Sequence, residues 1–165
     1  RVRPRSSDGM NLASQILDIA ITKGIMIATA ESCTGGMVAA ALTDIPGSSA
    51  VMERGFVTYT NRAKVEMLGV AQSTLDAHGA VSEQVALEMA MGALAHSPAH
   101  LAVSITGIAG PGGSDFKPEG RVCFGIADAT GAVAETINFG PLGRDNIRRA
   151  ARDHALTLLL NHLKG

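Results

Sequence analysis

Short apolar runs of strand length alternate with segments of helical spacing along most of this chain, and that alternation restricts its fold more than any other feature. Residues 12–23 put Leu12, Ile16, Ile19 and Ala20 on one helical face, with Asn11 as cap and Gly24 as stop. IMIATA (25–30) reads as a short buried strand, GMVAAALTD (36–44) as a helix rich in small residues, and IPGSS as a turn. AVMERGFVTYT (50–60) reads as a strand with a bulge at Gly55. Asn61 is placed to cap a helix over RAKVEMLG, QSTLDAHG forms a second short helix, and Ser82 caps a third over 83–95. Val85, Met89 and Ala93 recur there at helical spacing before the Ser97-Pro98 stop. LAVSIT (101–106) is another strand, followed by the longest loop, 107–120. RVCFGIAD and AVAETINF flank ATG as a β-hairpin, and a last helix from Asp145 to Leu163 buries Ile147, Ala151, Ala155, Leu158 and Leu159.

Parallel strands joined by helices, with one hairpin late in the chain, predict an α/β fold: a three-layer α/β/α sandwich whose mixed, mostly parallel sheet ends in a C-terminal β-hairpin. The domain covers residues 11–165, and the basic stretch RVRPRSSDG places a flexible lead-in or linker at 1–10. Ligands in such folds gather at the carboxyl ends of the strands. Both glycine-rich segments, after 25–30 and after 101–106, fall there.

Composition narrows the function classes. A net charge of −1 removes the simplest electrostatic reason to bind nucleic acid, and 3% aromatic residues without tryptophan make a base-stacking surface unexpected. Two cysteines, Cys33 and Cys123, do not make a disulfide framework, and no stretch is apolar for long enough to span a bilayer. These features predict a cytoplasmic protein. The five histidines show no metal-ligand spacing, so no metal is assigned.

Four segments could carry chemistry. In TAESCTGG, Ser32 stands at a strand-to-helix junction, with Cys33, Thr34, Gly35 and Gly36 supplying free backbone N–H groups. That arrangement suits a nucleophile beside an oxyanion hole or a phosphate cradle, and equally a plain N-cap. Cys33 is the rival nucleophile, because a thiolate at a helix N-terminus has a lowered pKa. No Lys-Ser/Thr follows the glycines, so this is not a Walker A loop. In VTYTNRAK, Tyr59 ends a strand and Lys64 falls in the first turn of a helix; burial there would lower the lysine pKa and make it a base, with Tyr59 relaying the proton. The alternative is a surface lysine and an interface tyrosine. Thr106, Gly107, Gly110, Gly112 and Gly113 in TGIAGPGG offer backbone donors to an oxyanion or phosphate, without the spacing of a dinucleotide fingerprint. Arg144 and Arg148 share a helix face at i, i+4 and could hold a phosphate or carboxylate, or form only a solvated helix start.

Together TAESCTGG, GSSAVMERGFVTYTNRAK, AHGAVSE, TGIAGPGG with KPEG, and FGPLGRDNIR resemble, in order, the C-terminal domain family of competence/damage-inducible protein A, also known as nicotinamide-nucleotide amidase or NMN deamidase. The resemblance covers about residues 11 to 163. It implies an amidohydrolase converting nicotinamide mononucleotide (NMN) to nicotinate mononucleotide and ammonia, with no cofactor or metal and as a homo-oligomer, a dimer or larger. Ser32 matches the family nucleophile, and Tyr59 and Lys64 its tyrosine and lysine. The chain departs from the family pattern in GGSDFKP, about one residue shorter, and at Glu119, where a small apolar residue is common. A non-catalytic nucleotide-binding or regulatory module is the other class the family name allows.

Overall fold

A computed structural model describes residues 8–165 other than 115. In chain order the elements are α1 (Asp8–Lys23), β1 (Ile27–Glu31), α2 (Met37–Thr43), β2 (Met52–Val57), α3 (Asn61–Leu68), α4 (Gln72–His78), α5 (Glu83–Ala95), β3 (Leu101–Gly107), β4 (Arg121–Asp128), β5 (Gly131–Asn138) and α6 (Arg144–Lys164). The sheet order is β2-β1-β3-β4-β5. β1 pairs in parallel with β2 and β3, while β3–β4 and β4–β5 are antiparallel, so only β4 runs against the others.

Strand alternation divides the core. Ile27, Leu101, Val103, Ile105 and Phe124 face α1, α2 and α6. The intervening Ala28, Ala30 and Ala102 face α3, α4 and α5. Small residues on the second face let α5 lie close to the sheet: Ser104 Oγ donates to Ala86 O at 2.6 Å, and a Cβ at Gly125 would strike the Ala86 carbonyl. Helices on both faces of a mixed sheet give the expected α/β/α sandwich, with β4 and β5 as its hairpin.

Several local expectations shift. α1 begins at Asp8, so Asn11 lies inside the helix rather than at its cap, and 8–10 are helical; the rest of the expected lead-in lies outside the described residues. Thr60, not Asn61, caps α3, its Oγ1 accepting the Ala63 N–H at 3.0 Å. The β2 bulge falls at Glu53 rather than Gly55, because Ile27 pairs with Met52 and Ala28 with Arg54. Glycine at 55 answers to close approach instead: a Cβ there would stand 2.7 Å from Thr29 Oγ1. On α6, Leu158 is only partly buried, and Leu156, Leu160 and Leu163 complete the stripe.

Candidate active site

β1 delivers its last residues to the carboxyl end of the sheet between its two parallel neighbours. The Ser32 N–H donates to Ile105 O at 2.9 Å, extending the β1–β3 pairing by one residue and fixing the serine against the sheet. The chain then turns through Gly35 and Gly36, whose φ values of 58° and 109° favour glycine. Glu31 is 1% exposed, and its carboxylate accepts the Val38 and Ala39 N–H groups at 2.9 and 3.1 Å. α2, whose cap Gly36 has no side chain, is thus closed at its N-terminus by a buried carboxylate. From the other side Arg148 Nε donates to Cys33 O at 3.0 Å and Nη2 to Thr34 O at 3.4 Å. Among the described residues the Cys33, Thr34 and Gly36 N–H groups carry no hydrogen bond.

α3 brings up Lys64. Lys64 is 1% exposed, and its Nζ lies 2.9 Å from Ser32 Oγ, 2.8 Å from Thr58 O and 3.2 Å from Tyr59 O. Burial lowers its pKa from 10.5 to about 8. As a neutral amine, Lys64 donates its two N–H groups to the two carbonyls and turns its lone pair to the Ser32 hydroxyl. The sequence asked whether this lysine is solvated or buried, and the fold buries it.

Ser32, Lys64 and Tyr59 line a cavity of about 210 Å³ with Thr106, Gly107 and Arg144. A second compartment of about 310 Å³ continues from it, sharing Ala80, Val81, Gly107, Ala109 and Arg144, and is walled by Gly110–Ser114 and Lys117. The two form one cleft across the carboxyl ends of β1 and β3, at the low end of ligand-pocket size.

Other expected site residues have different roles. The Tyr59 phenol is 60% exposed and accepts from Arg144 Nη2 at 3.1 Å; the Tyr59 main-chain carbonyl, not its phenol, meets Lys64 and Ser32. Cys33 is buried, and burial pushes its pKa up to about 12, which counts against it as the rival nucleophile. α2 begins only at Met37, and Glu31 already occupies its first open N–H groups. Arg148 is engaged with the Ser32 loop, away from the cleft lining, whereas Arg144 reaches over the cleft to Gly110 O at 2.7 Å. The Thr106 hydroxyl donates to Ala80 O at 2.9 Å. Thr34, Gly35 and Gly36 shape the loop from outside the cavity lining.

Sequence reasoning passed over Glu31 and Lys117. The first left a signal in a lone carboxylate ending an apolar strand next to the serine; the second, a lysine inside a Gly/Pro loop, left none that distinguishes it from a solvated side chain.

The family model of the CinA C-terminal domain matches residues 10–163. This chain belongs to the CinA C-terminal domain family. It is 51% identical over 154 residues to the nicotinamide-nucleotide amidohydrolase PncC of Escherichia coli (strain K12), covering 93% of both chains. Identity reaches 60% over 112 residues with the protein of the same name from Enterobacter agglomerans, covering 67% of this chain and 68% of that one. The crystal structure of the competence/damage inducible protein CihA from Agrobacterium tumefaciens superposes with a TM-score of 0.93 at 48% identity, covering 99% of this chain and 100% of that one. The Agrobacterium tumefaciens structure shares the α/β architecture described above.

Proposed function

We propose that this chain is an amidohydrolase that converts NMN and water to nicotinate mononucleotide and ammonia. The observation that carries the reading is the buried Lys64 amine 2.9 Å from Ser32 Oγ, in a family member so similar to proteins named for this reaction. Ser32 Oγ attacks the carboxamide carbon while its proton passes to Lys64. The Cys33 N–H, beside Ser32 in the cavity lining, holds the tetrahedral oxyanion, a good donor there being worth about 3 kcal/mol. Lys64 gives its proton to the departing nitrogen, which leaves as ammonia. Water then adds to the acyl-enzyme ester, Lys64 takes the water proton and returns one to Ser32 Oγ, and nicotinate mononucleotide is released. Every proton step runs directly between Lys64 and its neighbours, with the Tyr59 phenol outside the relay. The Gly107–Gly113 loop, with Arg144 at its lip, takes the 5′-phosphate.

Incubation with NMN should release ammonia and nicotinate mononucleotide in equal amounts, and Ser32→Ala should abolish both. Release by Ser32→Ala at the wild-type rate would overturn the reading. The cytoplasmic homo-oligomer implied by the family belongs to the same proposal and is checked by sedimentation.

A further inference from the structure

The larger compartment of the cleft is flanked by two cations without a carboxylate partner among the described residues. Lys117 Nζ reaches across to the turn between α4 and α5 and donates to His78 O at 2.6 Å and Val81 O at 2.5 Å. That leaves one of its three N–H groups without an acceptor among the described residues. Arg144 stands on the other side, fastened to Gly110 O and the Tyr59 phenol. Neither has a carboxylate within ion-pairing distance among the described residues. Between them the loop offers the Ala109, Gly110 and Gly113 N–H groups without partners among the described residues. The Gly112 N–H is taken by Glu119 Oε1 at 3.0 Å, and the Glu119 side chain lies outside the compartment's lining.

We propose that Lys117 is the second cation of a phosphate-monoester site and, with Arg144, clamps the dianion against the Gly107–Gly113 loop. A dianion supplies the counter-charge that neither side chain has among the described residues. The compartment shares its Ala80–Val81 wall with the Ser32 cavity, and Lys117 holds that wall by the Val81 carbonyl. A phosphate seated on Lys117 therefore fixes the distance from the phosphate end of a substrate to the amide end. The identity of the ligand as the 5′-phosphate of NMN rests on the proposed function; the anion site does not.

The test compares NMN with nicotinamide riboside, which lacks the phosphate, and measures inorganic phosphate binding separately. Lys117→Met should weaken NMN use by about 10- to 150-fold more than riboside use, the span of one hydrogen bond to a charged group. Lys117→Arg should recover part of that difference. Inorganic phosphate should compete with NMN in the wild type and raise its Tm, and should do neither in Lys117→Met. Should the methionine variant fail to fold, a phosphate titration of 15N-lysine-labelled wild type reads the same contact: the Lys117 Nζ resonance should move, and an unmoved resonance overturns the proposal. Equal losses on nucleotide and riboside also overturn it, leaving Lys117 as a staple on residues 78–81. If the wild type hydrolyses neither substrate yet binds phosphate through Lys117, the anion site stands and the proposed reaction falls.

Discussion

Two glycine-bearing loops meet at this cleft, and they are finished in opposite ways. The loop after β1 is closed by the protein itself: Glu31 takes the first open N–H groups of α2, and Arg148 takes the carbonyls of Cys33 and Thr34. The loop after β3 also has unpaired N–H groups among the described residues, as the loop after β1 does, but it faces two cations without a described carboxylate partner across one compartment. A loop that must hold donors where charge develops in a transition state works best when fixed beforehand. A loop that binds an anion can leave its charges to the ligand. Arg148 and Arg144 state the difference most sharply, since they lie one turn apart on α6 and serve the two loops separately.

The largest effect should come from the closed loop. Ser32→Ala should lower kcat by about 10⁴-fold or more, while Cys33→Ala, losing only a buried neutral thiol, stays within about 3-fold of wild type. The opposite ranking in an NMN assay would break the comparison by moving the nucleophile. Next comes Lys64→Met, with a loss of about 10²- to 10⁴-fold for a displaced general base. The wild-type kcat should rise with pH and level off above about 8, since only the neutral amine accepts the Ser32 proton. Stability carries the same signature. The folded pKa lies below the unfolded value, so between about 8 and 10.5 the unfolded chain holds more protons and the wild type gains stability as pH rises. The slope is at most about 1.4 kcal/mol per pH unit from this group. Denaturant titrations of Lys64→Met should lack that increment, and an equal gain in both proteins would remove Lys64 as its source.

The arginine pair sharpens the comparison further. Arg148→Met should lower kcat with little change in KM, because it releases the carbonyls that hold the oxyanion loop. Arg144→Met should raise the KM for NMN by about 10-fold or more with kcat nearly kept. Identical kinetic signatures would mean that the two loops are not separate devices. Smallest is Tyr59→Phe, which removes the acceptor of one exposed Arg144 hydrogen bond and should cost about 3-fold in NMN turnover. A loss rivalling that of Lys64→Met would bring the phenol back into the proton path.

The layers were legible because the alternating strand and helix patterns, the Ser82 cap and the ATG hairpin are local properties of the chain. Ser32 and Lys64 could be nominated as candidates for a similar reason: each sits next to a strand end, where α/β sheets collect ligands. Their pairing through a buried Nζ could not be read, because burial of Lys64 depends on how α3 packs over β1. The same limit explains Arg144 and Arg148. Spacing put both on one helix face, and only packing turned Arg148 into the Ser32 loop and left Arg144 over the cleft. Glu31 was missed because its partners are backbone N–H groups, which no residue type advertises. The bulge was placed at Gly55 by its residue type, when the glycine was marking contact with Thr29.

The bond from Arg148 to the Cys33 carbonyl spans 115 positions of sequence, joining the loop after β1 to the last helix, α6. On a ribosome, the serine emerges long before that guanidinium has been made. The intervening residues are made with the loop unbraced, and the contact that braces it arrives with α6 rather than building up strand by strand.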